Sequence, residues 1–184
     1  MNSRDLSRWI RLKDDLHADC RIFEVRKSRF RRPSDQKEGD FFVLDTNDWV
    51  IVLAVTKNKE LVLVRQFRFG TEEFSLEPPG GVVEKGESPV LAGVRELEEE
   101  TGYTGKNPEI IGSVSPNSAI MSNRCHFLLV EEAEKTAPTS FDPNEELETV
   151  LVPLDELKNL AKNGKINHSI ALNGIFNLLL FLGK

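Results

Sequence analysis

At 184 residues and 20.8 kDa, the chain has room for one ordinary domain and a small extra element. Its 24 basic residues against 30 acidic ones give a net charge of −6, which argues against a broad electrostatic nucleic-acid surface, while 39% hydrophobic and 29% charged residues suit a packed core rather than a disordered chain. Cys20 and Cys125 cannot build a disulfide framework, Met1-Asn2-Ser3-Arg4-Asp5 has no apolar leader core, and no run reaches the ~18 apolar residues of a membrane span, so secreted miniprotein, membrane protein and fibrous protein are excluded and a reducing, cytoplasmic setting is expected.

Residues 1–19 are mostly polar and read as a short helix or a loose arm. Residues 20–30 read as a strand running into the turn Arg31-Arg32-Pro33-Ser34-Asp35. Phe41-Phe42-Val43-Leu44 is a second strand, stopped by Asp45-Thr46-Asn47-Asp48. Val50 to Val55 and Leu61 to Phe69 are apolar, β-branched runs joined by Lys57-Asn58-Lys59, which marks a hairpin. Residues 78–87, with Pro78-Pro79-Gly80-Gly81 and Gly86, read as loop.

The clearest helix is 89–101: Ser88 suits an N-cap, Pro89 the first turn, and Gly102 the residue past the end. Strands follow near 109–115, 125–131 and 148–153, then helices 154–163, stopped at Gly164, and 168–182. This mixture without regular βαβ alternation suggests α+β or an α/β/α sandwich. Residues 1–47 form a strand-rich extension and 48–184 the main domain, and edge strands of such an extension can pair across a dimer.

On a helical wheel, Val90, Val94, Leu97 and Thr101 gather on one side of helix 89–101, as a core stripe should. Glu96, Glu99 and Glu100 gather on another, while Glu98 points elsewhere. Like charges at this spacing destabilise a bare helix by about 0.2–0.5 kcal/mol per pair, and a divalent cation among them reverses the sign. The donors are all oxygen, which suits Mg²⁺ or Mn²⁺ rather than zinc. The Pro78–Gly81 loop just upstream can bring backbone carbonyls to the same patch. Arg95 can reach Glu99 at i+4 or turn back toward Glu87. His17, His126 and His168 have no metal-ligand spacing and read as structural.

Gly81, Glu87 and the run Arg95-Glu96-Leu97-Glu98-Glu99-Glu100-Thr101-Gly102-Tyr103 resemble a complete Nudix box, with every fixed position filled. The resemblance implies the Nudix α/β/α sandwich with a mixed sheet, and hydrolysis of a nucleoside diphosphate linked to another group. By that resemblance Glu96, Glu99 and Glu100 hold the metal, the carbonyl of Gly80 adds a ligand, and Gly81, Glu87, Arg95 and Gly102 are structural, with Glu87 and Arg95 bracing the loop on the helix. Val64-Arg65-Gln66-Phe67-Arg68-Phe69 followed by Leu76-Glu77-Pro78-Pro79-Gly80-Gly81 resembles the ADP-ribose and nucleoside-diphosphate-sugar pyrophosphatase branch. Arg68 falls where that branch places a phosphate-contacting arginine, and a planar, permanently charged fork suits a diphosphate. Arg26, with Arg29, Arg31 and Arg32, could add anion contacts, including to a partner subunit's site.

In this branch a loop glutamate before a late strand positions or deprotonates the attacking water; Glu145 and Glu146 are the candidates, with Glu148 third. Pro116 falls short of the spacing carried by ADP-ribose-specific members. The resemblance therefore implies a broader substrate range, GDP-mannose included. The expectation is a homodimeric, Mg²⁺-dependent hydrolase of small nucleotide sugars, with no nucleic-acid or membrane partner. The alternatives are an ADP-ribose-specific or nucleoside-triphosphate pyrophosphatase, and a non-catalytic nucleotide-binding module.

Overall fold

The computed structural model describes residues 6–141 and 146–183. In chain order the elements are β1 (Ile10–Asp19), β2 (Glu24–Arg31), β3 (Glu38–Asp45), β4 (Trp49–Thr56), β5 (Glu60–Arg68), β6 (Glu73–Glu77), β7 (Gly80–Val82), α1 (Pro89–Thr101), β8 (Tyr103–Val114), β9 (Cys125–Lys135), β10 (Leu147–Pro153), α2 (Leu157–Lys162) and α3 (Ser169–Phe181). They form two compact units, Met1–Asn47 with Ser115–Asn123, and Asp48–Val114 with Arg124–Lys184.

The first unit is an antiparallel sheet in the order β1-β2-β3. Residues 10–19 are neither helix nor arm but strand β1. Bulges at Arg11/Lys13 and Leu16/Ala18 break its period-two pattern, which hides the strand in the sequence. Its pairing to β2 is held by Asp14, which takes Arg26 at 3.0 Å and the Ser28 hydroxyl. The second strand starts at Glu24 rather than at Cys20, because Arg21 has φ 68° and Cys20 to Phe23 form a turn. Leu44 ties Ser115–Asn123 to this sheet, donating its N–H to Ile120 O at 2.7 Å and accepting from Ser122 N at 3.1 Å.

The second unit holds a mixed sheet in the order β10-β5-β4-β9-β8, with β6 added on β5 and β7 on β4. Strand β4 runs parallel to β9 and antiparallel to β5 and β7. Its near-continuous apolar run has a direct cause, since the strand is covered on both faces. Val50, Val52 and Ala54 pack with Val62, Leu128 and Val130 against Ala92 and Leu97 of α1. Leu53 and Val55 pack with Leu63, Phe127 and Leu129 against Leu157 of α2 and Ile170, Ile175 and Leu178 of α3. One helix on one face and two on the other give the expected α/β/α sandwich.

Helix α1 begins and ends where the capping residues require. The Ser88 hydroxyl accepts from Leu91 N at 3.3 Å, Pro89 opens the first turn, and Gly102 closes the helix at φ 72° with its N–H on Glu98 O. The buried stripe differs from the wheel. Leu97 and Thr101 are buried, but Ala92 and Gly93 replace Val94, which is exposed, and Val90 is only partly covered. Close approach decides this: a Cβ on Gly93 would lie 2.5 Å from Leu128 Cδ2, so the smallest residues, not the most apolar, face the sheet.

Other boundaries shift for local reasons. Strand β8 starts at Tyr103, well before residue 109, and three register irregularities and Asn107 at φ 51° interrupt its pattern. Strand β6, absent from the sequence reading, pairs with β5 from Val64↔Glu77 to Arg68↔Glu73. The penultimate helix is confined to Leu157–Lys162. Among the described residues no helix is long and apolar enough to cross a membrane.

Candidate active site

The site grows from the end of β6. Glu77 is followed by two prolines whose fixed φ angles stiffen the chain, and Pro79 O accepts from Val52 N at 2.7 Å, pinning the segment to β4. What reads as loop from residue 78 therefore contains β7, in register with Trp49, Val50 and Ile51 of β4. Gly80 lies where backbone passes close to backbone, and Gly81 where a side chain of α1 presses on the strand. A Cβ on Gly80 would stand 2.7 Å from Ile51 Cα. A Cβ on Gly81 would stand 2.5 Å from Glu96 Cδ.

Those contacts bring α1 onto the glycine strand. Glu100, only 4% exposed, accepts from Gly80 N at 3.0 Å, so a carboxylate lies in the core-facing surface of the helix with a backbone donor to hold it. Glu96, one turn earlier, lies against Gly81. Glu99 is more exposed and turns toward Arg95.

Arg95 is the local counter-charge. Its Nη1 bonds Glu96 Oε1 at 2.9 Å and Glu99 Oε2 at 3.0 Å. Its Nε and Nη2 reach back to the Glu87 carboxylate at 3.2 and 3.3 Å, so both directions open to it in the sequence are used at once. Glu87 also accepts from Glu84 N at 3.1 Å, which fastens the loop before α1 to the helix. The hydrogen bonds from Arg95 hold the Glu87 carboxyl below its ordinary range, and those from Glu87 raise the guanidinium further still. Among the described residues no three His, Cys, Asp or Glu side chains close on one point as a metal cage would. The carboxylates on this face of α1 are nonetheless oxygen donors of the kind a hard divalent cation takes.

A cleft of about 1350 Å³ opens beside Gly80 and Gly81. Arg68 and Glu146 line it, as does Glu148, which sits 3.5 Å from Arg65. Glu145 lies outside the described residues. Arg26 belongs to the first unit, where Asp14 and Glu24 each hold its guanidinium at 3.0 Å. Gly102 serves as the α1 cap already described.

Sequence reading gives no role to a buried residue that binds two members of this wall, Arg68 and His168. Glu77, 2% exposed, accepts from Arg68 Nε at 2.7 Å and from His168 Nδ1 at 2.8 Å. Burial alone would push its carboxyl up, but the His168 and Arg68 hydrogen bonds outweigh it and the group is held below its ordinary range. His168, read as structural from spacing, occupies the N-cap position of α3 with its side chain turned to Glu77 instead of the helix, and lines the same cleft. Nothing in the order of residues joins positions 68, 77 and 168; the β5–β6 ladder and the start of α3 do.

A model of the NUDIX domain matches residues 46–172 of the chain. An ADP-ribose pyrophosphatase of Bacillus subtilis is 35% identical over 118 residues, a match spanning 64% of this chain and 64% of that protein. An ADP-ribose pyrophosphatase of Saccharomyces cerevisiae is 31% identical over 171 residues, covering 80% of this chain and 72% of the relative. In three dimensions the chain is similar to an ADP compounds hydrolase, with a TM-score of 0.86 over 98% of this chain and 97% of the other; at 22% identity that likeness speaks for the fold alone.

Proposed function

The chain belongs to the NUDIX family, and on that premise we propose that it hydrolyses the pyrophosphate bond of nucleoside diphosphate sugars, ADP-ribose and GDP-mannose among them. The observation that carries this reading is the contact of α1 with the glycine strand at the edge of the cleft: Glu100 on Gly80 N–H, Glu96 against Gly81, and Arg68 nearby on the cleft wall. The two relatives named ADP-ribose pyrophosphatase support the same substrate class.

In this reading Glu96, Glu99, Glu100 and the carbonyl of Gly80 would hold Mg²⁺ or Mn²⁺. Such an ion, when bound, neutralises diphosphate charge and makes water easier to ionise. The protein's own residues do the rest. Arg68 offers the substrate the two Nη groups left outside its Nε bond to Glu77, and a fork of this kind suits paired phosphate oxygens. Glu146, on the cleft wall, orients the attacking water or takes its proton, with Glu145 the other candidate. The water oxygen bonds to one phosphorus and the bridging oxygen leaves with the other. The products are a nucleoside monophosphate and a sugar phosphate.

The antiparallel first unit, with Phe41, Phe42 and Leu16 exposed on its strands, supports a homodimer built through those strands. The two unpaired cysteines suit a reducing, cytoplasmic setting. The test is a substrate panel with Mg²⁺, read by product chromatography. Sugar phosphate released from several nucleotide sugars supports the proposal. Turnover of ADP-ribose alone, pyrophosphate from nucleoside triphosphates, or binding without turnover contradicts it.

A further inference from the structure

Resting on that reading, we propose that His168 binds a sugar hydroxyl of the substrate through Nε2, with the Ser75 hydroxyl as a second contact on the same wall. Glu77 makes this possible. It sits at the end of β6, almost wholly buried, and takes Nδ1 of His168 on one carboxylate oxygen and Nε of Arg68 on the other. A carboxylate accepts, so Nδ1 carries the proton, and in the neutral ring Nε2 is then an acceptor. The ring nitrogen away from Glu77 belongs to a side chain that is 34% exposed and lines the cleft. An acceptor on a cleft wall beside an arginine suits a ligand that presents hydroxyls next to phosphates.

Ser75 is the independent observation. It lies two residues before Glu77, on the same face of β6, and its residue is 5% exposed. Its Oγ is buried with no hydrogen-bond partner, while the residue itself lines the cleft. A buried hydroxyl left unpaired carries a desolvation cost, which a ligand hydroxyl bonded to it from the cleft would offset. A sugar hydroxyl can donate to His168 Nε2 and accept from Ser75 Oγ, and Glu77 fixes the geometry by gripping Arg68 and His168 together.

The decisive variants are His168→Asn and Ser75→Ala. Asparagine keeps a donor where Nδ1 meets Glu77 but puts nothing at the place of Nε2. Alanine removes only the unpaired hydroxyl. Binding of ADP-ribose, ADP and inorganic pyrophosphate is measured by calorimetry without divalent cation, with melting temperature as the folding control. Each variant is expected to melt within a few degrees of the parent and to bind ADP-ribose roughly threefold to tenfold more weakly, the loss of one neutral hydrogen bond. Pyrophosphate binding stays unchanged. A loss confined to ADP-ribose places the contact on the terminal sugar, and an equal loss for ADP places it on the nucleoside ribose; either supports the proposal. Unchanged ADP-ribose binding in both variants overturns it, as does an equal loss for pyrophosphate, which would make the wall a phosphate site. A parent protein that binds ADP-ribose but never cleaves it refutes the proposed activity and leaves this inference standing.

Discussion

Alanine at Gly80 and at Gly81 should fail in opposite ways. At Gly80 the new methyl would meet backbone, 2.7 Å from Ile51 Cα and 3.0 Å from Val50 C, and neither can withdraw without opening the β4–β7 pairing. Overpacking against fixed atoms costs about 1–3 kcal/mol or more, which for a chain of this size lowers the melting temperature by roughly 2–12 °C. At Gly81 the methyl meets only the end of a side chain, the Glu96 carboxyl group, with Cδ at 2.5 Å and Oε2 at 2.8 Å. That group can swing aside, so stability should change by less than about 1 kcal/mol, helped by the lower entropy of the unfolded chain. The swing moves a proposed metal-holding carboxylate by about an ångström, and a misplacement of that size costs up to about 100-fold in rate. The assay pairs thermal melts with kcat/KM on ADP-ribose. Gly81→Ala with full turnover, or Gly80→Ala melting like the parent, would refute the argument that these glycines seat α1.

Glu146→Gln should lower kcat on ADP-ribose at least tenfold with KM little changed, measured by steady-state kinetics; unchanged kcat moves the water-orienting role elsewhere. Arg95→Met removes one cation from three carboxylates and should cost about 1–3 kcal/mol in melts, part of it restored by millimolar Mg²⁺; equal melting with and without the ion contradicts a cation site there. Glu77 has a depressed folded pKa, so its stabilisation is present above the unfolded value of 4.5 and is lost as pH falls through the lower folded value. Glu77→Gln should therefore melt lower at pH 7 and lose less on acidification, checked by melts from pH 7 to 3. Burial pushes the Cys125 thiol up to about 12, whereas Cys20 is exposed, so a thiol reagent at pH 8 should modify one cysteine in the native protein and two in denaturant.

Features written into neighbouring residues were legible in the sequence. Ser88, Pro89 and Gly102 set the ends of α1 because caps are local chemistry. Helical spacing sets Glu96, Glu99 and Glu100 on adjacent turns, but in the fold Glu100 is held by Gly80 N–H and Glu99 turns to Arg95. Features set by distant partners were hidden. The burial of Glu100 depends on β7 lying across α1, and a wheel cannot show that a charged residue will be covered while Val94 stays exposed. Strand β1 exists because β2 pairs with it through two bulges, and the Arg68–Glu77–His168 chain joins three elements far apart in sequence. Composition around Glu77 marks a turn, and only the fold makes it the buried anchor of a cleft wall.

The most direct test is the fate of ADP-ribose in water labelled with ¹⁸O, with Mg²⁺, for the parent and for Glu100→Gln, whose amide oxygen can still accept from Gly80 N–H. The parent should release AMP and ribose 5-phosphate, with label on one phosphate, only when the ion is supplied, and the variant should keep its melting temperature while losing most of its turnover. Equal turnover by a folded Glu100→Gln, or product formed without any divalent ion, would contradict the account.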